Sequence, residues 1–156
     1  MIYKSRDIIY FFDFDGTIFG LGNNFFGFPV RFIKNGPNLN PNKWDIRWNI
    51  LCGRPKIDKP FIWLSCAVWG LRPTNIITYK HRFKKEFNSD VILDYKVEYM
   101  KSVLRGEQKE FLNVSKVFYI DSNLDVVCYI NSRRQKYSFM AITIKDFIEE
   151  NFNVFL

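Results

Sequence analysis

The chain has 156 residues, 47% of them hydrophobic, which suits one ordinary domain with its own core and excludes a disordered chain. Its formal net charge of +7 favours a polyanionic partner such as nucleic acid, or a phosphorylated substrate, and fits a merely soluble basic protein equally well. The single histidine excludes a multi-histidine metal site, so any metal must be held mainly by carboxylates.

Five apolar runs predict strands, and helical patterns separate them. The first run, Asp7 to Phe14, is nearly continuous and is typical of a strand buried on both faces. The other predicted strands are Trp44 to Cys52, Asn75 to Tyr79, Val114 to Ile120 and Tyr137 to Ile144. The predicted helices are Phe61 to Leu71, Asp94 to Leu104, Leu124 to Asn131 and Ile144 to Phe152. This alternation predicts an α/β fold with a mostly parallel sheet covered on both faces.

Residues 18–43 break the alternation. They are rich in Gly, Asn, Pro and Phe, and their hydrophobic residues follow no period. Because the segment is too long for an ordinary strand-to-helix connection, it predicts a flap, a small lid or a functional loop. No other insertion is large enough for a cap, so residues 1–156 are predicted to form a single domain without a large cap domain.

Two acids end the first predicted strand. Asp13 and Asp15 lie two residues apart and therefore point to one side, and Gly16 then lets the chain turn. Ligand sites of parallel sheets lie at this end of the strands. Two close carboxylates repel unless a cation lies beside them, and one can then attack as a nucleophile while the other transfers protons. The alternative interpretation is an acidic turn that merely ends the strand.

A second acidic pair follows the fourth predicted strand. Asp121 lies at the strand end, and Asp125 falls in the first turn of the next helix. Asp125 suits a metal site and ordinary helix capping equally well. Asp121, set beside Asp13, is suited to bind a hard cation such as Mg²⁺ through oxygen.

These residues resemble the motifs of the haloacid dehalogenase superfamily. Asp13 to Thr17 resembles the first motif, Leu51 to Pro55 occupies the place of the second, Lys96 resembles the third, and Asp121 to Asp125 resembles the fourth. All four occur in the family's order over nearly the whole chain. The resemblance implies a three-layer α/β/α, Rossmann-like core with a parallel sheet of about five strands in the order five-four-one-two-three.

The resemblance also implies roles for five residues. Asp13 would attack phosphorus and form an aspartyl-phosphate, and Asp15 would act as the acid and base. Lys96 would neutralise the nucleophile and the phosphoryl oxygens, although a solvated lysine on a helix is an equally good interpretation of its spacing. Asp13, Asp121 and the backbone carbonyl of Asp15 would hold Mg²⁺, with Asp125 in support. Asp15 points to phosphatase chemistry, because family members that dehalogenate or pump ions lack this acid.

The predicted phosphate site departs from the family at one position. The second motif carries Ser or Thr, and Cys52 stands there instead. Because a thiol donates a weaker hydrogen bond, we expect reduced activity. Thr17, Gly53 through its amide, and Lys96 would complete the phosphate contacts.

Several basic residues are predicted near the same edge of the sheet. Arg54 follows the second strand, and a stretch that alternates cations with aromatics, from Tyr79 to Lys85, follows the third. Such stretches can bind phosphates and stack bases, although a solvated charged loop is an equally good interpretation. Arg54, Lys80 and Arg82 are therefore candidate substrate contacts. The segment from Gly53 to Arg82 also resembles, more weakly, the phosphatase domain of polynucleotide kinase-phosphatases.

The predicted function is thus Mg²⁺-dependent hydrolysis of a phosphomonoester, with a nucleotide or a polynucleotide end favoured. One alternative is a phosphate- or nucleic-acid-binding protein that kept the fold but lost efficient turnover, and another is a protein phosphatase. Three scattered cysteines argue against disulfides and for a reducing, cytoplasmic setting. No stretch reaches the length of a membrane span, so no membrane partner is expected. The sequence leaves the oligomeric state open.

Overall fold

A computed structural model describes residues 6–20, 30–80 and 90–152, which form five strands and five α-helices. The strands are β1 (Ile8–Phe12), β2 (Trp48–Pro55), β3 (Ile76–Tyr79), β4 (Lys116–Asp121) and β5 (Phe139–Thr143). The helices are α1 (Val30–Asn35), α2 (Lys59–Val68), α3 (Asp90–Leu104), α4 (Leu124–Ser132) and α5 (Ile144–Phe152). Two 3₁₀ turns, Pro41–Trp44 and Lys56–Asp58, flank β2.

The five strands form one parallel sheet in the order β3-β2-β1-β4-β5. The predicted fold class and strand order are therefore confirmed. β1 lies at the centre of the sheet, where its run of apolar residues is covered on both faces. Since the strands are parallel, their carboxyl ends share one edge, and the segments that follow β1, β2 and β4 meet there.

Helices cover both faces of the sheet and make three layers. Successive residues of a strand point to opposite faces. Tyr10 and Phe12 of β1 pack into a core with α1, α2 and α5, whereas Ile9 and Phe11 pack into a second core with α3 and α4. This alternation decides which residues beyond the strand ends face α3.

Several element boundaries differ from the prediction. Trp44 belongs to a 3₁₀ turn, and β2 begins at Trp48 and continues through Pro55 instead of ending at Cys52. α2 begins at Lys59, because Pro60 suits the first turn of a helix. α3 begins at Asp90 instead of Asp94. The first turn of α3 is itself largely apolar, and its Ile92 and Leu93 are buried, so the predicted helix began one turn too late. None of the described helices is long and apolar enough to span a membrane.

The segment predicted as a flap or small lid, residues 18–43, is anchored in the core at both described ends. Phe19 and Phe32 are buried, and their rings stack with centroids 5.1 Å apart. The Asn38 amide donates to the Ile18 carbonyl oxygen at 2.7 Å. α1 lies within this segment, and residues 21–29 lie outside the described part of the chain. The flap itself therefore stays a prediction.

Candidate active site at the carboxyl edge of the sheet

Asp13 and Asp121 lie side by side at the carboxyl edge of neighbouring strands. The register of β1 and β4 pairs Phe12 with Ile120, so the two acids follow directly beyond the last pair. The Asp13 amide donates to the Ile120 carbonyl oxygen at 2.9 Å, which continues the ladder. Asp13 lies two residues after Phe11, and Asp121 lies two residues after Tyr119. Both carboxylates therefore point to the face of the sheet that α3 covers. Both are buried, with 7% and 2% of their surface exposed.

Lys96 of α3 reaches these carboxylates from the facing helix. Its Nζ donates to Asp13 Oδ1 at 2.9 Å, and the lysine is 2% exposed. A solvated lysine, the alternative that the helical spacing left open, is therefore wrong. Burial alone would lower the pKa of Lys96, but Asp13 and Asp121 outweigh it and raise the pKa, so the lysine stays charged.

Asp13 has the most perturbed carboxyl group of the site. Burial raises its pKa to about 7, Lys96 opposes the rise, and Asp121 and Asp15 add to it by repulsion. One buried ammonium thus does not balance the negative charge around Asp13. This imbalance is what a cation bound at the same edge would relieve.

Tyr119, which the sequence analysis missed, connects Lys96 to Asp121. Lys96 Nζ donates to the Tyr119 hydroxyl oxygen at 2.7 Å, and that hydroxyl donates to Asp121 Oδ2 at 2.9 Å. The other Asp121 oxygen, Oδ1, accepts from the Asn123 amide at 2.9 Å. A continuous buried chain of hydrogen bonds therefore runs from Asp13 through Lys96 and Tyr119 to Asp121. The sequence did hold a signal for Tyr119. It lies two residues before Asp121 on a strand, so both side chains point to the same face of the sheet.

Removal of the Tyr119 hydroxyl tests this chain. Tyr119→Phe keeps the ring but frees Lys96 and Asp121 to reorient, so we expect Mg²⁺ affinity or turnover to fall about 10- to 100-fold. Calorimetric Mg²⁺ titration and steady-state kinetics measure the two quantities separately. The matched control is Tyr10→Phe, which removes a buried hydroxyl from the opposite face of the sheet. Equal small effects in both variants would leave Tyr119 with a packing role only.

Arg54 holds Asp15 in a bidentate ion pair. Arg54 Nε donates to Asp15 Oδ2 at 2.8 Å and its Nη2 donates to Oδ1 at 2.6 Å, while Nη1 reaches Asp58 Oδ2 at 3.3 Å. The guanidinium also lies 5.6 Å from the ring centroid of Phe32. Arg54 is 5% exposed and its donors orient Asp15, and its assignment as a substrate contact stays a prediction. Burial raises the pKa of Asp15 and Arg54 opposes the rise, which suits a group that must both hold and release a proton.

Thr17 ties two loops of the site together. Its Oγ1 accepts from the Ser122 amide at 3.0 Å, which fixes the turn after β1 against the turn after β4. Thr17 is fully buried. Its assignment as a phosphate-binding side chain stays a prediction, and the contact with Ser122 gives the hydroxyl a structural role.

Cys52 points into the core. It is fully buried among the apolar residues that α2 covers, and its thiol donates to the Ile77 carbonyl oxygen at 3.6 Å. Burial raises the pKa of Cys52 to about 12. This position does not support phosphate binding by the side chain, and the assignment stays a prediction. Gly53 faces α3, where a Cβ would come within 2.7 Å of Ile92 Cγ2, so the close packing of the helix requires a residue without a side chain.

The position of Cys52 reverses the expected effect of restoring a hydroxyl. Cys52→Ser places a polar group in an apolar core, so we expect no gain in turnover and a loss of roughly 1–3 kcal/mol in the free energy of unfolding. Parallel phosphatase assays and denaturant titrations check this. A clear gain in activity would show that the side chain reaches the substrate after all.

Two of the remaining predicted residues, Asp125 and Lys80, are exposed. Asp125 is exposed in the first turn of α4, and its amide donates to the Asn123 side chain at 2.9 Å, so Asn123 caps the helix. Its support of a metal stays a prediction. Lys80 is exposed directly after β3. Arg82 and the rest of the predicted basic stretch, residues 81–85, lie outside the described part of the chain.

The chemistry of the donor set fits Mg²⁺. Within residues 6–20, 30–80 and 90–152, no group of three or more His, Cys, Asp or Glu side chains is arranged to hold a metal ion. The set implied by the resemblance needs only two, Asp13 and Asp121, with a backbone carbonyl as the third ligand. Among the described residues, four carboxylates, counting Asp15 and Asp58, contact the two cationic side chains of Lys96 and Arg54 directly or through Tyr119, which leaves two negative charges when all four are ionised. A divalent cation would balance them.

Comparisons with known proteins found no counterpart. No protein-family model matches the chain, and no curated protein or solved structure matches it at a significant level. The resemblance to the haloacid dehalogenase superfamily thus rests on the four sequence motifs.

Proposed function

We propose that this protein is a Mg²⁺-dependent phosphomonoesterase that acts through an aspartyl-phosphate on Asp13. The observation that carries the proposal is the buried pairing of Lys96 with Asp13 at 2.9 Å, beside Asp121, at the carboxyl edge of a parallel sheet. A nucleophilic carboxylate needs a partner that neutralises it without blocking it, and a lysine with three donors can hold Asp13 and a phosphoryl oxygen together.

The proposed reaction has two steps. Asp13 attacks phosphorus, the bond from phosphorus to the leaving oxygen breaks, and Asp15 gives its proton to that oxygen. Asp15 then takes a proton from water, the resulting hydroxide attacks phosphorus, and the bond to Asp13 breaks, which releases inorganic phosphate. Burial raises the pKa of Asp15, but both of its oxygens accept from Arg54, so Asp15 must release one of these hydrogen bonds to carry the proton that the first step needs.

Three groups would hold the metal in this proposal: the carboxylates of Asp13 and Asp121 and the backbone carbonyl of Asp15. When bound, Mg²⁺ would supply positive charge to stabilise the phosphoryl group in the transition state. The burial that raises the pKa of Asp13 to about 7 also removes competing water, so the attractions of the site for phosphate are stronger than in bulk solvent.

The substrate class that we favour is a nucleotide or a phosphorylated polynucleotide end. The net charge of +7 attracts polyanions, and exposed lysines follow β2 and β3 at the edge that holds Asp13. A second candidate function is phosphate binding without efficient turnover. The burial of Thr17 and the inward position of Cys52 favour it, because both leave the site without a side-chain hydroxyl from these motifs.

A phosphatase panel with Mg²⁺ separates these functions. The substrates are p-nitrophenyl phosphate, nucleoside monophosphates, oligonucleotides phosphorylated at the 3′ or the 5′ end, and phosphopeptides. We expect release of phosphate that EDTA abolishes, with oligonucleotides or nucleotides preferred. Phosphate or oligonucleotide binding without any release would support the second candidate. Preference for phosphopeptides would identify a protein phosphatase.

A further inference from the structure

A groove of about 360 Å³ runs along the outer side of β3. β3 is an edge strand of the sheet, so one side of its backbone faces this groove instead of another strand. The groove lies between the 3₁₀ turn and helix that follow β2 and the carboxyl-terminal part of α3 with its following loop. Three lysines are among its lining residues: Lys56, Lys59 and Lys80.

The groove is positively charged. Its described lining includes Glu110 as the single acid against the three lysines. All three lysines are exposed, and none of them forms an ion pair with a carboxylate in residues 6–20, 30–80 or 90–152. Their ammonium groups are therefore available to an anionic ligand, and their spacing over several residues suits a ligand with more than one negative charge.

The lysines of the groove follow the carboxyl ends of β2 and β3, at the edge of the sheet that carries the candidate active site. Lys80 directly follows the carboxyl end of β3. Lys56 is two residues after Arg54, whose guanidinium holds Asp15 at 2.6 Å. From that edge the groove continues along the strand towards Asn75 and Phe111. A chain whose terminal phosphate lay at Asp13 could leave the site by this path.

We infer that the groove binds the sugar-phosphate backbone of a single-stranded polynucleotide whose phosphorylated end is the substrate. The inference rests on the proposed function and adds how the substrate is held. A strand of four residues spans about 13 Å, which equals roughly two to four nucleotides of a single strand. Because lysines contact phosphates as point charges, the groove would bind without preference for base sequence.

Charge reversal of the lysines tests the groove. The triple variant Lys56→Glu/Lys59→Glu/Lys80→Glu is compared with Lys136→Glu. Lys136 is an exposed lysine in the loop before β5, the edge strand on the other side of the sheet from β3. Each protein also carries Asp13→Asn, so binding of a fluorescent, terminally phosphorylated single strand is measured by anisotropy without turnover. We expect the triple variant to bind at least tenfold more weakly and the slope of log affinity against log salt to fall by about 2, at about 0.7 per lost phosphate contact.

Kinetics of the variants without Asp13→Asn supply a second readout. The ratio of kcat/KM for the phosphorylated oligonucleotide to kcat/KM for a nucleoside monophosphate should fall about tenfold or more in the triple variant, and stay constant in Lys136→Glu. An unchanged ratio together with unchanged binding would overturn the groove assignment. An equal loss of affinity for an acidic phosphopeptide would overturn the choice of nucleic acid.

The binding measurement keeps the two proposals separate. A protein without phosphatase activity that still binds single strands through these lysines would refute the proposed function and support the groove. A phosphatase whose oligonucleotide binding is unchanged by the lysine substitutions would support the proposed function and refute the groove.

Discussion

Replacement of Asp13 with asparagine is expected to abolish phosphatase turnover and, in metal-free buffer, to stabilise the protein. An amide cannot attack phosphorus to form the acyl-phosphate, so turnover should fall at least ~10⁴-fold, as when other catalytic nucleophiles are removed. The fold should survive, because the side-chain oxygen of asparagine can still accept the hydrogen bond from Lys96.

The stability effect follows from the direction of the pKa shift. Asp13 has a pKa of about 7 in the folded protein against 3.8 when it is exposed, so the folded state binds more protons between these values. Its stability therefore falls as the pH rises from about 4 to 7, and the full penalty applies above pH 7. Asp13→Asn removes this penalty, and we expect the free energy of unfolding at pH 8 to rise by roughly 1–3 kcal/mol. At pH 4 the gain should vanish.

Denaturant titrations at several pH values, with EDTA, measure this gain. The matched control is Asp146→Asn, which changes an exposed carboxylate in the first turn of α5. Added Mg²⁺ should stabilise wild type more than Asp13→Asn and narrow the difference between them. A destabilised Asp13→Asn protein at pH 8, or full retention of turnover, would contradict the assignment of Asp13.

Lys96→Met is expected to be the most destabilising single change in the site. Methionine fills much of the volume of the lysine, but it leaves Asp13 and Asp121 buried without their cation. The loss of one partner of a buried ion pair costs about 3–5 kcal/mol. Phosphatase turnover should disappear as well, since nothing would neutralise the nucleophile.

Thermal unfolding with and without Mg²⁺ tests the reason for this loss. Because the variant keeps both acids, a divalent cation should recover more stability in Lys96→Met than in wild type. Lys101→Met is the matched control on the same helix, where the half-buried lysine contacts the exposed Gln135 at 3.4 Å and the Tyr137 ring at 5.4 Å. Similar losses in the two variants, or no recovery with Mg²⁺, would contradict a charge-balancing role for Lys96.

The fold was largely predictable because its signals are local. Continuous apolar runs such as Ile8–Phe12 and Lys116–Asp121 occur where helices cover both faces of a sheet. Strand boundaries were less accurate. Arg54 and Pro55 lie beyond the predicted end of the second strand at Cys52, yet they continue β2, where Arg54 is held by Asp15 in the segment after β1, a contact that the local sequence does not reveal.

Candidate site residues that lie in a motif at the end of a strand could be predicted from the sequence. Residues whose role depends on contacts between distant segments of the chain could not. Asp13, Lys96 and Asp121 come together because each lies on an element whose apolar face fixes its direction. Tyr119 stood in an ordinary strand pattern, and only the position of Lys96 on α3 gives its hydroxyl a function. Cys52 was assigned from its place in a motif, whereas the parity of β2 turns it into the opposite core.

The phosphorylated form of Asp13 is the most direct test of the central claim. Wild-type protein is mixed with Mg²⁺ and a phosphorylated oligonucleotide or p-nitrophenyl phosphate, quenched in acid within the first turnovers, and digested for mass spectrometry. The account predicts a phosphate adduct on the peptide that contains Asp13, absent from Asp13→Asn and lost on brief treatment with hydroxylamine. Phosphate release without any adduct on Asp13, or an adduct on another residue, would contradict it.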